Sequence, residues 1–196
     1  MKPNFHLDLQ MPPTTTPTTG INLPPQVVWM SRIVAIIHAH FAASETQFAL
    51  ALPQMLAGDF KKLGNMVRVF CEREDPLYLL KNSLSEHDWS KSAVRASAVT
   101  AVPEKHPFGW VSYHRVRAPK RGKMQPEAFF ERLNHLKTVP SFSLRSLSSG
   151  QKFFLAIEEK RHGSGSFKAN PNGYGLSHGN EVIALPNLPI LKDLKS

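Results

Sequence analysis

Imidazole is the side chain that exchanges a proton near neutral pH, and the 196-residue chain holds nine histidines. Two of them, His38 and His40, fall on one predicted helix. Val27, Val28, Met30, Ile33, Val34, Ile37 and Phe41 recur at helical spacing, so His38 flanks the apolar stripe of a helix. There it has the chemistry of a general base, although the same position suits a histidine that only packs. His40 lies two positions on and points to a different face, so the two are poor joint metal ligands. Ser146 and Ser148 stand at the junction of SFSLRS with the turn LSSG. Tyr174 sits between Gly173 and Gly175, and glycines suit a sharp turn and close approach of backbone to a ligand. Phe153 and Phe154 are neighbours in an apolar stretch, so in a strand they face opposite sides. No tight carboxylate cluster suited to two magnesium ions is present in the sequence.

The elements that must hold these residues read as follows. Residues 5–11 alternate apolar and polar and predict a strand. The Pro/Thr-rich stretch 12–25 is an extended loop, and Pro24-Pro25 lead into a helix at 26–43. Strands follow at 47–53 and 66–72. A short helix runs from Asp75-Pro76 to about Lys81, with Asp75 as N-cap. A fourth strand is expected at 94–103. The order β-α-β-β-α-β is the ferredoxin-like arrangement. It is shared with the RNA recognition motif, although the aromatic RNP1 signature is missing.

Pro103 to Gly109 marks the expected boundary between a domain at 1–106 and a smaller, loop-rich one at 107–196. The latter predicts a strand at 110–118, a basic loop at 119–125, a helix at 126–137 and a hairpin across LSSG. A loop-rich tail with one short strand at 181–185 closes it. The fold class is α+β.

Charge separates the two parts. Residues 1–106 carry ten Lys/Arg against nine Asp/Glu, and residues 107–196 carry fourteen against six, which together give the net charge of +9. A basic half attracts polyanions, with nucleic acid first and an anionic membrane second. No long basic amphipathic helix supports the membrane option. The start, Met1 to Asp8, lacks a signal-peptide hydrophobic region. The single cysteine, Cys71, forms no internal disulfide, and a reducing, cytoplasmic setting is the expectation.

LRSLSSGQKFF at 144–154, followed by GYGLSHG at 173–179, closely resembles the C-terminal region of the type I-F CRISPR repeat endoribonucleases. The match extends to Met30-Ser31 through His38 and to Tyr113 through Ala118. The resemblance implies an N-terminal ferredoxin-like domain and a C-terminal RNA-binding domain. It also implies metal-independent cleavage of precursor CRISPR RNA at the 3′ base of a stem-loop, with no cofactor. The ribose 2′-hydroxyl attacks, leaving a 2′,3′-cyclic phosphate and a 5′-hydroxyl. The enzyme then stays on the crRNA 3′ stem-loop beside the other subunits of the surveillance complex.

By position the resemblance makes His38 the catalytic histidine and Ser146 the serine that holds the ribose, an orientation effect. It makes Tyr174 the tyrosine that orients the histidine, for which a phenol–imidazole hydrogen bond is the expected contact. Ser148 and Gln151 match residues near the RNA, and Phe153 a phenylalanine stacked on the end of the stem. Arg115 and Arg117 match the pair that reads base edges in the major groove. The family carries a polar amide at the second position, so Arg117 is a departure. The long arginine-rich helix of well-known members is shorter and less basic here. Lys120, Arg121, Lys123, Arg132 and Lys137 are the phosphate contacts available.

Two other classes compete. A hairpin-binding subunit without cleavage needs none of His38, Ser146 and Tyr174, and all three are present. A general RNA-binding module would share only the fold, which does not fix function.

Overall fold

The computed structural model describes residues 1–12, 26–59, 61–119, 122, 125–146, 148–165 and 170–190. Most of the Pro/Thr-rich loop, Lys120, Arg121, Lys123 and the end of the tail lie outside the described residues.

The first half runs β1 (Phe5–Gln10), α1 (Gln26–Ala43), β2 (Phe48–Ala51), β3 (Met66–Cys71), α2 (Asp75–Glu86), α3 (Asp88–Ala93), β4 (Arg95–Ala96) and β5 (Thr100–Ala101). The sheet order is β2-β3-β1-β4, with β5 also on β1 and every pairing antiparallel. This is the ferredoxin-like order read from the sequence.

Alternation sorts the two faces. Leu7, Leu9, Val67 and Val69 share one face, and His6, Asp8, Arg68 and Phe70 the other. Helix α1 covers the first face with Met30, Ile33, Val34, Ile37 and Phe41, all buried, and Phe41 stacks on Phe48 of β2. The second face is the one on which RNA recognition motifs stack bases. Here chain covers it. Arg68 makes a bidentate pair with Asp8 at 2.6 and 2.7 Å, and its other N–H groups donate to the carbonyls of Leu188 and Pro189 at 2.8 and 3.1 Å. The C-terminal segment is thereby clamped across the sheet.

The second half runs β6 (Trp110–Val116), α4 (Pro126–Thr138), β7 (Ser141–Arg145), β8 (Lys152–His162) and β9 (Leu185–Pro186). Its sheet order is β7-β8-β6-β9. The two sheets share one core, in which Leu7, Ile33 and Val69 join Tyr113, Phe142, Leu155, Ile157 and Leu185. β7 is an edge strand, and an edge N–H needs a partner. Ser143 donates its N–H to the Ser31 hydroxyl of α1 at 3.0 Å, which seats the helix along that edge.

Several elements differ from the sequence expectation. The strand expected at 94–103 is split, because the Ser97 hydroxyl takes the Asp8 N–H at 3.0 Å while the Ser97 N–H donates to the Asp8 carbonyl. Helix α2 continues past Lys81 to Glu86, since Leu80 and Leu84 extend its buried stripe, and α3 follows. Asp75 is the first helical residue rather than the N-cap, where its charge meets the positive end of the helix dipole. The strand of the tail is at 185–186, not 181–185. Helix α1 is, by length and composition alone, sufficient to cross a membrane, yet its apolar stripe is spent on the sheet.

Candidate active site

His38 flanks Ile37, which is buried, so the packing of α1 turns the imidazole to the border of the helix. There it meets the loop 172–177. His38 Nδ1 lies 2.5 Å from the carbonyl oxygen of Gly173. A carbonyl only accepts, so Nδ1 carries the proton and donates it. In the neutral ring the lone pair is then on Nε2, the atom left to act as base.

The loop is stapled on both sides. Gly175 accepts the Leu50 N–H from the edge of β2 at 2.8 Å, and Ser177 donates to the Tyr113 carbonyl of β6 at 2.8 Å. Gly175 has φ +71°, and a Cβ there would lie 2.7 Å from the Phe48 ring and 2.9 Å from the Leu50 nitrogen. Only glycine fits that backbone. Inside the loop Asn172 Oδ1 accepts from the N–H groups of Tyr174 and Leu176 at 2.8 and 3.3 Å. This Asx turn holds the Gly173 carbonyl in place. Asn172-Gly173 is a turn dipeptide by type, a signal in the sequence that pointed to the turn but not to its acceptor.

Tyr174 stacks face to face on His38, with centroids 4.2 Å apart and planes at 27°. The expected phenol–imidazole hydrogen bond is therefore replaced. Gly173 takes the imidazole N–H, and Tyr174 holds the ring by its face. Burial raises the Tyr174 pKa, with the Arg115 charge acting the other way, so the phenol stays protonated at neutral pH. Phe153 meets Tyr174 edge to face at 6.0 Å, and the Arg115 guanidinium lies 5.9 Å from the Phe153 ring centre. His38, Tyr174, Phe153 and Arg115 thus form a continuous row. Phe153 is half-buried, while Phe154 on the opposite face is 75% exposed.

Ser146 closes the β7–β8 turn. Its N–H donates to the Gln151 carbonyl and its carbonyl accepts from Gly150, both at 2.9 Å. Its hydroxyl is 3.1 Å from that of Ser148 and accepts from Ser149 N–H at 3.3 Å. Those bonds lie within the turn rather than to His38. Helix α1 and β7 advance in the same direction: the Ser31–Ser143 contact is followed by Ala35 and Arg145 on the walls of one groove. His38 lies about 4.5 Å of helix rise beyond Ala35, and Ser146 directly follows Arg145. Both are carried to the same end.

Ser148 and Gln151 are exposed at the turn, Arg117 beyond the end of β6, and Arg132 on α4. Helix α4 buries no residue. It is tied at its C-terminal end, where Thr138 and Lys137 carbonyls accept from Gly58 N–H and Lys61 Nζ at 2.9 and 2.8 Å. His135 also lies 3.3 Å from Glu158. Among the described residues no three His, Cys, Asp or Glu side chains converge as a metal site.

The family model described as CRISPR-associated protein (Cas_Csy4) matches residues 18–187. The chain belongs to this family, the type I-F CRISPR repeat endoribonucleases. No curated protein sequence matches it. As a member of the Cas_Csy4 family the protein acts in CRISPR repeat RNA processing and binds repeat RNA.

Proposed function

We propose that the protein cleaves CRISPR repeat RNA at the 3′ base of its stem-loop, without a metal, by attack of the ribose 2′-hydroxyl. The proton of that hydroxyl passes to His38 Nε2, the 2′-oxygen bonds to phosphorus, and the bond from phosphorus to the 5′-oxygen breaks. The departing oxygen takes a proton from solvent. The products are a 2′,3′-cyclic phosphate and a 5′-hydroxyl. The hydrogen bond from His38 Nδ1 to Gly173 carries this reading, since it leaves Nε2 as the acceptor.

Ser146 orients the ribose, and Tyr174 fixes the imidazole plane. Phe153 stacks on the end of the stem, where aromatic stacking contributes about 1–3 kcal/mol per base. Arg115 and Arg117 read base edges near the helix end, where the groove is accessible. Lys120, Arg121, Lys123, Arg132 and Lys137 contact phosphates, beside Ser148 and Gln151 at the turn. In this division residues 1–106 supply the catalytic histidine and residues 107–196 the hairpin-binding surface. The protein stays on the cut hairpin among the other subunits of the surveillance complex.

The test is cleavage of the repeat hairpin in EDTA by wild type and His38→Ala, with analysis of the new RNA ends. Cutting at the stem base by wild type alone, with a cyclic phosphate, is the expected result. Equal tight binding and no cutting by either protein would overturn it in favour of a hairpin-holding subunit.

A further inference from the structure

An open groove of ≈ 370 Å³ runs between α1 and the edge of β7, with Val27, Ser31, Arg32, Ala35, Ser143 and Arg145 among its walls. The described residues that line it include two arginines and no carboxylate. Arg32 is exposed, yet its position is set. Its guanidinium lies 5.5 Å from the Trp29 ring centre and 5.9 Å from that of Trp89. The two indoles stack with centroids 5.4 Å apart. A guanidinium laid on aromatic faces keeps its N–H edges for a partner and loses little freedom on binding one, and those edges match a phosphate. Arg145 stands on the other wall, exposed, reaching the Gly150 carbonyl at 3.4 Å.

The groove ends at the chemistry. Ala35 precedes His38 by about one helical turn, and Arg145 adjoins Ser146. We propose that this groove binds the single-stranded RNA on the 3′ side of the scissile phosphate, with Arg32 and Arg145 on its phosphates. The inference rests on the cleavage reading above, because that reading places the scissile phosphate at His38 and Ser146. It adds a consequence. The uncut repeat carries this strand and the hairpin product does not, so the groove favours substrate over product and its contribution ends with the cut.

The experiment measures affinity for the repeat hairpin made uncleavable by a 2′-deoxy residue at the cut site. It compares RNA without a tail, with a short 3′ tail and with an equal 5′ tail. Wild type is set beside Arg32→Ala and Val27→Glu; Val27 is 42% exposed, so the second variant adds a carboxylate to the groove without touching the Arg32–indole stack. In wild type the 3′ tail tightens binding about tenfold, the weight of one charged hydrogen bond. It also steepens the salt slope by about 1.4, from two single-strand phosphate contacts at about 0.7 each. In both variants that ratio falls towards one. A tail that adds nothing, a 5′ tail that adds as much, or a gain that survives both substitutions overturns the proposal. Cleavage of the unmodified tailed hairpin is scored in parallel. A wild type that grips the tail through Arg32 yet never cuts supports the groove and sinks the cleavage reading alone.

Discussion

His38 donates a hydrogen bond to a backbone carbonyl 135 residues away in sequence, that of Gly173. The acceptor is main chain, so no side chain substitution at Gly173 removes it. Its position is governed by the neighbouring Asn172, whose side chain accepts two backbone N–H groups of the loop. The His38 tautomer thus depends on an Asx turn.

Replacing Asn172 by Ala leaves those two N–H groups without their acceptor, and an unsatisfied buried donor costs about 1–3 kcal/mol. The Gly173 carbonyl then wanders. Cleavage of the hairpin is expected to slow at least about tenfold. The ¹⁵N signals of His38 should lose the pattern of a protonated Nδ1 and bare Nε2. Asn172→Asp keeps the accepting oxygen and should recover most of both. Unchanged tautomer signals in Asn172→Ala would remove the turn from the mechanism.

Tyr174 meets His38 through its ring, so the hydroxyl is the less important part. Tyr174→Phe is expected to cut within a few-fold of wild type, because the stacked pair survives. Tyr174→Ala should lose about ten- to a hundredfold, since an unheld imidazole is misaligned for proton transfer. Single-turnover rates of the two variants decide it. If the Phe variant is as poor as the Ala variant, the phenol rather than the ring orients the histidine.

Period-2 and period-3.6 patterning revealed most of the architecture, because α1 and β7 each bury one regular face and β1 alternates apolar with polar residues. Patterning says nothing of which distant backbone group a side chain reaches. The Gly173 acceptor, the Ser31 cap on β7 and the reach of Arg68 to Leu188 all join residues more than 100 positions apart. Asp8 and Arg68 looked like ordinary polar residues of alternating strands, and only the covered second face of the sheet makes them core. The broken strand at 95–101 escaped for a local reason: Ser97 substitutes its hydroxyl for a ladder partner, which a propensity reading treats as one more strand residue.

That buried pair gives a stability prediction. Arg68 and Asp8 are 2% and 4% exposed at the side chain, and removing one partner of such a pair costs about 3–5 kcal/mol, because the other charge is left buried alone. Asp8→Ala should therefore lower urea-unfolding stability by that amount. It should also loosen residues 188–189, which Arg68 holds. Joint replacement, Asp8→Leu with Arg68→Met, leaves no orphan charge and should recover much of the loss. A single variant that unfolds with wild type would show that the pair sits in water.

Two histidines contribute to the acid side of the stability curve. His6 is buried against Phe70, and burial lowers its pKa, with Arg68 adding to the effect and Asp8 opposing it. His114 is lowered by burial first, then by Lys160 and His162 against Glu158. Its Nε2 lies 2.7 Å from the Ser112 hydroxyl, which is also 2.6 Å from His162 Nε2. Both rings bind a proton more weakly when folded, while the unfolded chain takes up protons near the ordinary value of 6.5. The unfolded state therefore binds more protons below that pH, and stability falls as acid is added. The contribution is fully present above the unfolded value and is lost as pH drops through the folded ones. Unfolding free energy measured at pH 7 and pH 5 should decrease for wild type. The decrease should be smaller when His6→Leu and His114→Gln remove the titrating groups. A wild type whose stability is flat or rises over that interval would mean that the two rings are charged inside the fold, with Asp8 and Glu158 rather than burial in control.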